Sequence, residues 1–209
     1  MKICEYGDPA AQAVLIQPVD EQDLSVIENE VNVIKQLSDR DFRLVTFKVE
    51  NWNRDLSPWK APAVFGKRDF GDGAEDTLSE ILKVCSDRDR EYIIGGYSLA
   101  ALFALWASYQ TDVFAAAAAA SPSMWFPGFI EYMSENVIRC KAVYLSLGDK
   151  EERTKNRVMA TVGDRIREAY DILQKAGIES ILEWNAGNHF NESDVRTAKA
   201  FARVLNGIG

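Results

Sequence analysis

The chain has 209 residues, of which 47% are hydrophobic and 27% charged, the balance of a folded globular protein and not of a disordered one. A chain of this length buries roughly 70% of its unfolded surface and can hold a core without disulfides or a structural metal. Lys and Arg number 24 against 32 Asp and Glu, and the net charge of −8 opposes non-specific association with nucleic acid or an anionic membrane surface.

Residues 13–17 (AVLIQ) read as a buried strand, followed by Leu24, Ile27, Val31, Ile34 and Leu37 at the three-and-four spacing of one helical face. Residues 43–49 (RLVTFKV) form the next strand, and residues 77–85 set Leu78, Ile81, Leu82 and Cys85 on one side of a helix. A strand over 91–95 (EYIIG) leads into a strongly apolar helix over 99–109. Residues 113–120 are a strand by position, although their six alanines favour a helix. Residues 142–147 (AVYLSL) are a further strand. A helix over 156–176 aligns Val158, Val162, Ile166, Tyr170 and Leu173, with Gly177 where a left-handed cap belongs. The last strand is 180–184 and the last helix 194–205. Short apolar strands, each followed by a helix, predict an α/β fold with a mostly parallel central sheet of about six strands and helices on both faces. One domain over 1–209 is expected, with no separate cap domain.

The three cysteines, Cys4, Cys85 and Cys140, form no CxxC or Cys/His pattern, so free thiols are expected in place of a zinc site or disulfide framework. The opening residues lack the apolar core of a signal peptide, and no apolar run approaches the ~18 residues of a membrane span. The expected location is cytoplasmic. Residues 50–76 are less regular and contain Trp52, Trp59, three glycines and two prolines. In a parallel sheet such a connection hangs over the carboxyl edge, where ligands bind, although its tryptophans can equally serve to pack it down.

The sharpest local motif is Gly96-Tyr97-Ser98-Leu99-Ala100, between a predicted strand and a predicted helix. It approaches G-x-S-x-G, in which small flanking residues let a serine sit on a tight strand-to-helix turn. None of the other twelve serines has Gly two before it and Gly or Ala two after it. The plain alternative is a helix N-cap. A serine hydroxyl needs a base to act as a nucleophile at neutral pH, and the chain has one histidine, His189, just after the last strand. A carboxylate should orient that imidazole, and Asp149, Glu151 and Glu152 follow the strand 142–147 in the chain order Ser, acid, His.

With these residues the sequence resembles an α/β-hydrolase, and it is similar to the esterase group that includes siderophore esterases and mycolyltransferases. The resemblance rests on GGYSLA around Ser98, Ser121-Pro122-Ser123-Met124-Trp125, GDKEE after the strand 142–147, and GNHF at His189. It spans most of the chain from residue 13. It departs from the pattern at Ala100, where the motif has glycine, and after AVLIQP, where relatives carry His-Gly. The resemblance implies Glu151 as the acid, three residues past Gly148, with Asp149 as the alternative and Glu152 third. It also implies an oxyanion hole of two backbone N–H groups, from Leu99 and, since Pro18 has none, from Val19.

The expected function is therefore a serine esterase that cleaves a small-molecule ester or thioester through an acyl-enzyme on Ser98, with no cofactor, metal, nucleic acid or membrane partner. Trp52, Trp59 and Trp125 are candidates for the substrate pocket. Asp69-x-x-Asp72 offers two carboxylates without a fuller ligand set, read as solvated charge. Acyl transfer by the same three residues is one alternative. The other is a non-catalytic module of the same fold that only binds.

Overall fold

The computed structural model describes residues 1–207. Seven strands form one sheet: β1 (Lys2–Gly7), β2 (Ala13–Val19), β3 (Phe42–Lys48), β4 (Glu91–Tyr97), β5 (Phe114–Ala120), β6 (Ala142–Gly148) and β7 (Glu179–Asn185). Their order across the sheet is β1-β3-β2-β4-β5-β6-β7. β1 runs antiparallel to β3, and every other neighbouring pair is parallel.

Seven strands exceed the six expected, and the additional one is β1. It is an edge strand in which Lys2, Ile3 and Glu5 are exposed and only Cys4 and Tyr6 are half-buried. A strand wet on one side carries no apolar run, so the pattern that reveals buried strands passes over it. Its outer charge is tied to the sheet through the Glu5–Arg43 ion pair at 2.7 Å.

Helices α1 (Glu21–Leu37) and α7 (Ser193–Leu205) cover one face. The other face carries α3 (Ala74–Leu82), α4 (Leu99–Gln110), α5 (Phe129–Glu135) and α6 (Val162–Lys175), while α2 (Trp52–Asp55) is a single turn in the connection after β3. The helix expected over 156–176 starts late. Asn156 Oδ1 accepts the Val158 and Met159 N–H groups at 3.0 and 3.2 Å, a 3-10 turn follows at Met159–Thr161, and only then does α6 begin. Gly177 has φ 73°, the left-handed cap its position foretold.

The alanine run is a strand despite its local preference, because β5 lies between two layers of helix. Ala117 and Ala119 face the α4 side, and Ala116, Ala118 and Ala120 face α7. Methyl groups let both helices approach closely. On neighbouring β4, a Cβ at Gly95 would stand 2.7 Å from the ring of Phe201 on α7. Between them the sheet order reverses at β2 and β4, which opens the crevice at the carboxyl edge beside the end of β4. No helix among the described residues is long and apolar enough to cross a membrane.

Candidate active site

Ser98 is the residue between β4 and α4, with φ 58° and ψ −118°, a region that side chains other than glycine rarely occupy. The turn is held from both sides: the Ser98 N–H donates to the Ala120 carbonyl at 3.1 Å, and its carbonyl accepts from the Leu102 and Ser123 N–H groups, both at 3.1 Å. Strain at an overdetermined turn of this kind is typical of functional positions. The small flanks have a steric cause, since a Cβ on Gly96 would come within 2.9 Å of the Ala100 methyl. One of the two positions must lack a side chain, and with Gly96 bare an alanine fits at the other.

His189 stands in the loop between β7 and α7 and turns its ring toward this hydroxyl. Ser98 Oγ is 2.9 Å from His189 Nε2, and His189 Nδ1 is 2.7 Å from Glu151 Oε2. An ionised carboxylate at Nδ1 keeps the proton on that nitrogen and leaves Nε2 as the acceptor for the serine hydroxyl. Burial pushes the Glu151 carboxyl up, but the His189 hydrogen bond and charge, the Ser121 hydroxyl and the Gly148 N–H together outweigh it and hold the group below its ordinary value. Its Oε1 accepts from Ser121 Oγ at 2.8 Å, the Gly148 N–H at 2.8 Å and Arg196 Nη1 at 3.1 Å. Tyr97 Oη donates to the His189 carbonyl at 2.9 Å and ties the histidine loop to the end of β4.

No family model and no curated protein matches the sequence. Solved structures do. The siderophore hydrolase EstA from Aspergillus nidulans is 17% identical, with 98% of this chain and 89% of that one aligned at a TM-score of 0.69. A brefeldin A esterase, a bacterial homologue of human hormone-sensitive lipase, is 10% identical over 99% of this chain and 76% of its own, at a TM-score of 0.61. The carboxylesterase of Bacillus cereus is 16% identical over 98% and 94%, at a TM-score of 0.60. The chain has the α/β-hydrolase fold.

Within this α/β-hydrolase frame the remaining candidates separate. Of the three carboxylates after β6, Glu151 is the one beside the imidazole. Asp149 is exposed and accepts the Gly187 N–H at 2.8 Å, which braces the histidine loop, while Glu152 lies 3.7 Å from Arg167. The Leu99 N–H opens α4, where helix geometry leaves it without an intrahelical partner. Val19 is not a second donor here. Its carbonyl accepts the Val49 N–H at 3.0 Å, so both of its backbone groups point toward β3 and away from Ser98. The next amide on the Ser98 side, Asp20 N–H, donates to Asp23 Oδ2 at 3.1 Å in the capping box of α1.

Trp125 lines the small cleft at the site, together with Ser121, Pro122, Met159, Val162 and His189. Trp59 does not reach it: its ring packs among Phe126, Phe129 and Tyr132, and its Nε1–H donates to the Pro127 carbonyl at 2.9 Å. Trp52 opens α2 and leans on the core. Both tryptophans hold down the connection after β3 because an indole on an irregular segment finds its best burial against the neighbouring helices. Asp69 accepts the Ala63 N–H at 2.9 Å and Asp72 pairs with Lys60 at 3.4 Å. Two surface depressions, beside Arg88 and Asp112 and beside Lys35 and Asp41, lie at the amino ends of the strands, far from Ser98.

The sequence alone assigns no role to Arg196, Ser121 or Tyr97. Arg196 left a trace: it shares the buried register of α7 with Ala200 and Val204 at intervals of four, where a charge is out of place unless partnered.

Proposed function

We propose that the chain is a carboxylic ester hydrolase acting through an acyl-enzyme on Ser98. The observation that carries this reading is the unbroken relay from Ser98 Oγ to His189 Nε2 at 2.9 Å and from His189 Nδ1 to Glu151 Oε2 at 2.7 Å, on a turn that projects the hydroxyl at the carboxyl edge. Ser98 Oγ attacks the ester carbonyl carbon while His189 Nε2 takes the hydroxyl proton. Glu151 keeps the other ring proton on Nδ1 and stabilises the imidazolium that forms. The Leu99 N–H and the amino end of α4 face the negative charge that develops on the carbonyl oxygen. Collapse of that intermediate expels the alcohol (or thiol, from a thioester), which receives the proton from His189. Water then attacks the acyl-enzyme with His189 as base again, releasing the acid and restoring the serine hydroxyl.

The fold's neighbours named as siderophore hydrolase, brefeldin A esterase and carboxylesterase support small-molecule esters as the substrate class. The test is a panel of p-nitrophenyl esters of graded acyl length, run on the chain and on Ser98→Ala, with fluorophosphonate labelling alongside. The expected outcome is labelling at Ser98 and a loss of roughly 10⁴-fold or more in kcat for the variant. Undiminished turnover by folded Ser98→Ala would falsify the reading.

A further inference from the structure

Glu151 presents two oxygens to two different tasks. Oε2 faces His189, whereas Oε1 is engaged by three donors, one of them the guanidinium of Arg196 at 3.1 Å. Arg196 is 3% exposed, and its other contacts also end on the site. Nη1 donates to Tyr97 Oη at 3.1 Å, and Nη2 donates to the Ala186 carbonyl at 2.8 Å, three residues before the histidine. One planar fork thus touches the residue before Ser98, the acid, and the loop that carries His189. Lysine, a single point of charge on a flexible stem, cannot span all three.

The charge matters as much as the geometry. Titratable groups on the surrounding elements include Tyr97 at the end of β4, Asp149, the exposed Lys150 and the Arg167-paired Glu152 after β6, the mutually paired Glu183 of β7 and Lys199 of α7, and Glu192, Asp194 and Arg196 at the start of α7. Glu192 is exposed, and Asp194 is occupied by Asn29 at 2.7 Å. Asp149 bonds the Gly187 N–H, and Tyr97 faces the histidine's backbone carbonyl. Only Arg196 is both buried and in contact with the acid. Resting on the serine-hydrolase reading above, we propose that Arg196 is a positioning residue for the Glu151–His189 pair, and that its buried positive charge keeps the pair from taking up the proton that would disable the base. The physical basis is a balance of charge. Carboxylate plus neutral imidazole carries −1 and readily accepts a proton; with the guanidinium on Oε1 the cluster is already neutral. Protonation then leaves a buried net positive charge. Because acid and imidazole titrate as a unit, the sign holds whichever of the two carries the added proton.

The sole histidine makes this directly readable, since its ring carbons give one set of NMR signals to follow against pH without any turnover. In Arg196→Met the titration midpoint and the acid limb of kcat/KM should both move upward, by roughly one to three pH units, the span a single charge covers between about 10 and 4 Å in an effective dielectric near 20. Arg196→Lys should restore the midpoint while recovering only part of kcat. An unchanged midpoint in folded Arg196→Met overturns the inference, and so does a full kcat in Arg196→Lys. Should Arg196→Met fail to fold, the pair Glu151→Gln and Glu151→Gln/Arg196→Met decides the matter, because the double variant leaves no buried charge unpaired. The double variant should titrate higher than the single one; equal midpoints overturn the inference. Loss of the esterase reading would show instead as undiminished hydrolysis in Ser98→Ala, with these titrations unaffected.

Discussion

Glu151 and Glu30 are both carboxylates sunk below the surface, 8% and 2% exposed, and each lies against the central sheet. Four groups donate to Glu151, one of them positively charged, and it stays below its ordinary value. Glu30 on α1 faces a single donor, the Gln17 amide at 3.3 Å, and its own Oε1 and Gln17 Oε1 are left without a partner. Burial therefore pushes Glu30 well above the carboxylate range, against the Gln17 hydrogen bond and with help from the charges of Asp23 and Asp194. A carboxyl group that holds its proton is a donor as well as an acceptor, whereas an ionised one can only accept. The two sites teach that burial alone does not set a carboxylate's charge. The number and charge of its donors do, and they separate an acid that can orient a base from one that only fills a core.

The most severe way to break the contrast is Glu151→Gln, which turns the orienting acceptor into a group that can present a donor to His189 Nδ1. The expected loss is about 10³- to 10⁴-fold in kcat, as for the wrong imidazole tautomer. The same variant leaves Arg196 buried and unpaired, so about 3 kcal/mol of stability should go with it, measured by urea denaturation. A variant that keeps its rate would show that Glu151 does not orient the base. The pH dependence of stability sharpens the comparison next. Glu151, depressed in the fold, contributes stability that is present above its unfolded value of 4.5 and disappears as the pH falls through the folded value. Glu30, raised in the fold, contributes in the opposite sense: its share is complete below 4.5 and is lost as the pH rises through the folded value. Denaturation midpoints followed from acid to alkaline pH should accordingly fall at both ends. The smallest effect is expected for Glu30→Gln, with an unchanged rate, a stability within about 1 kcal/mol of the parent at neutral pH, and a weaker decline on the alkaline side. An alkaline slope identical to the parent's would mean that Glu30 is ionised in the fold after all.

The parts of the molecule legible in sequence were those whose cause is local. The turn at Ser98 announces itself because a tight strand-to-helix junction demands small neighbours at fixed spacing, and Gly96 with Ala100 meets that demand. His189 stands out because the chain has no other imidazole. The buried strands were visible as apolar runs, and the alanine strand was placed by its position among them. What escaped depends on contacts across the fold. Arg196 is separated from Glu151 by 45 residues, and nothing near either residue in the chain announces the other. The direction in which the Val19 amide points is set by its pairing with β3, a register that composition does not reveal. Trp59 and Trp125 look alike in sequence, and only the packing of α5 decides that one anchors a connection while the other lines the cleft.

The row of methyl groups in β5 joins the two helices whose ends carry the site. α4 begins with Leu99 beside the serine, and α7 carries Arg196 in its first turn. A branched side chain in that row would lever one helix outward, displacing an amide or a guanidinium that it never touches. Damage at such a position would resemble a defect in chemistry while arising in the middle of the protein, so the tolerance of this interior to enlargement is limited by tolerances at its rim.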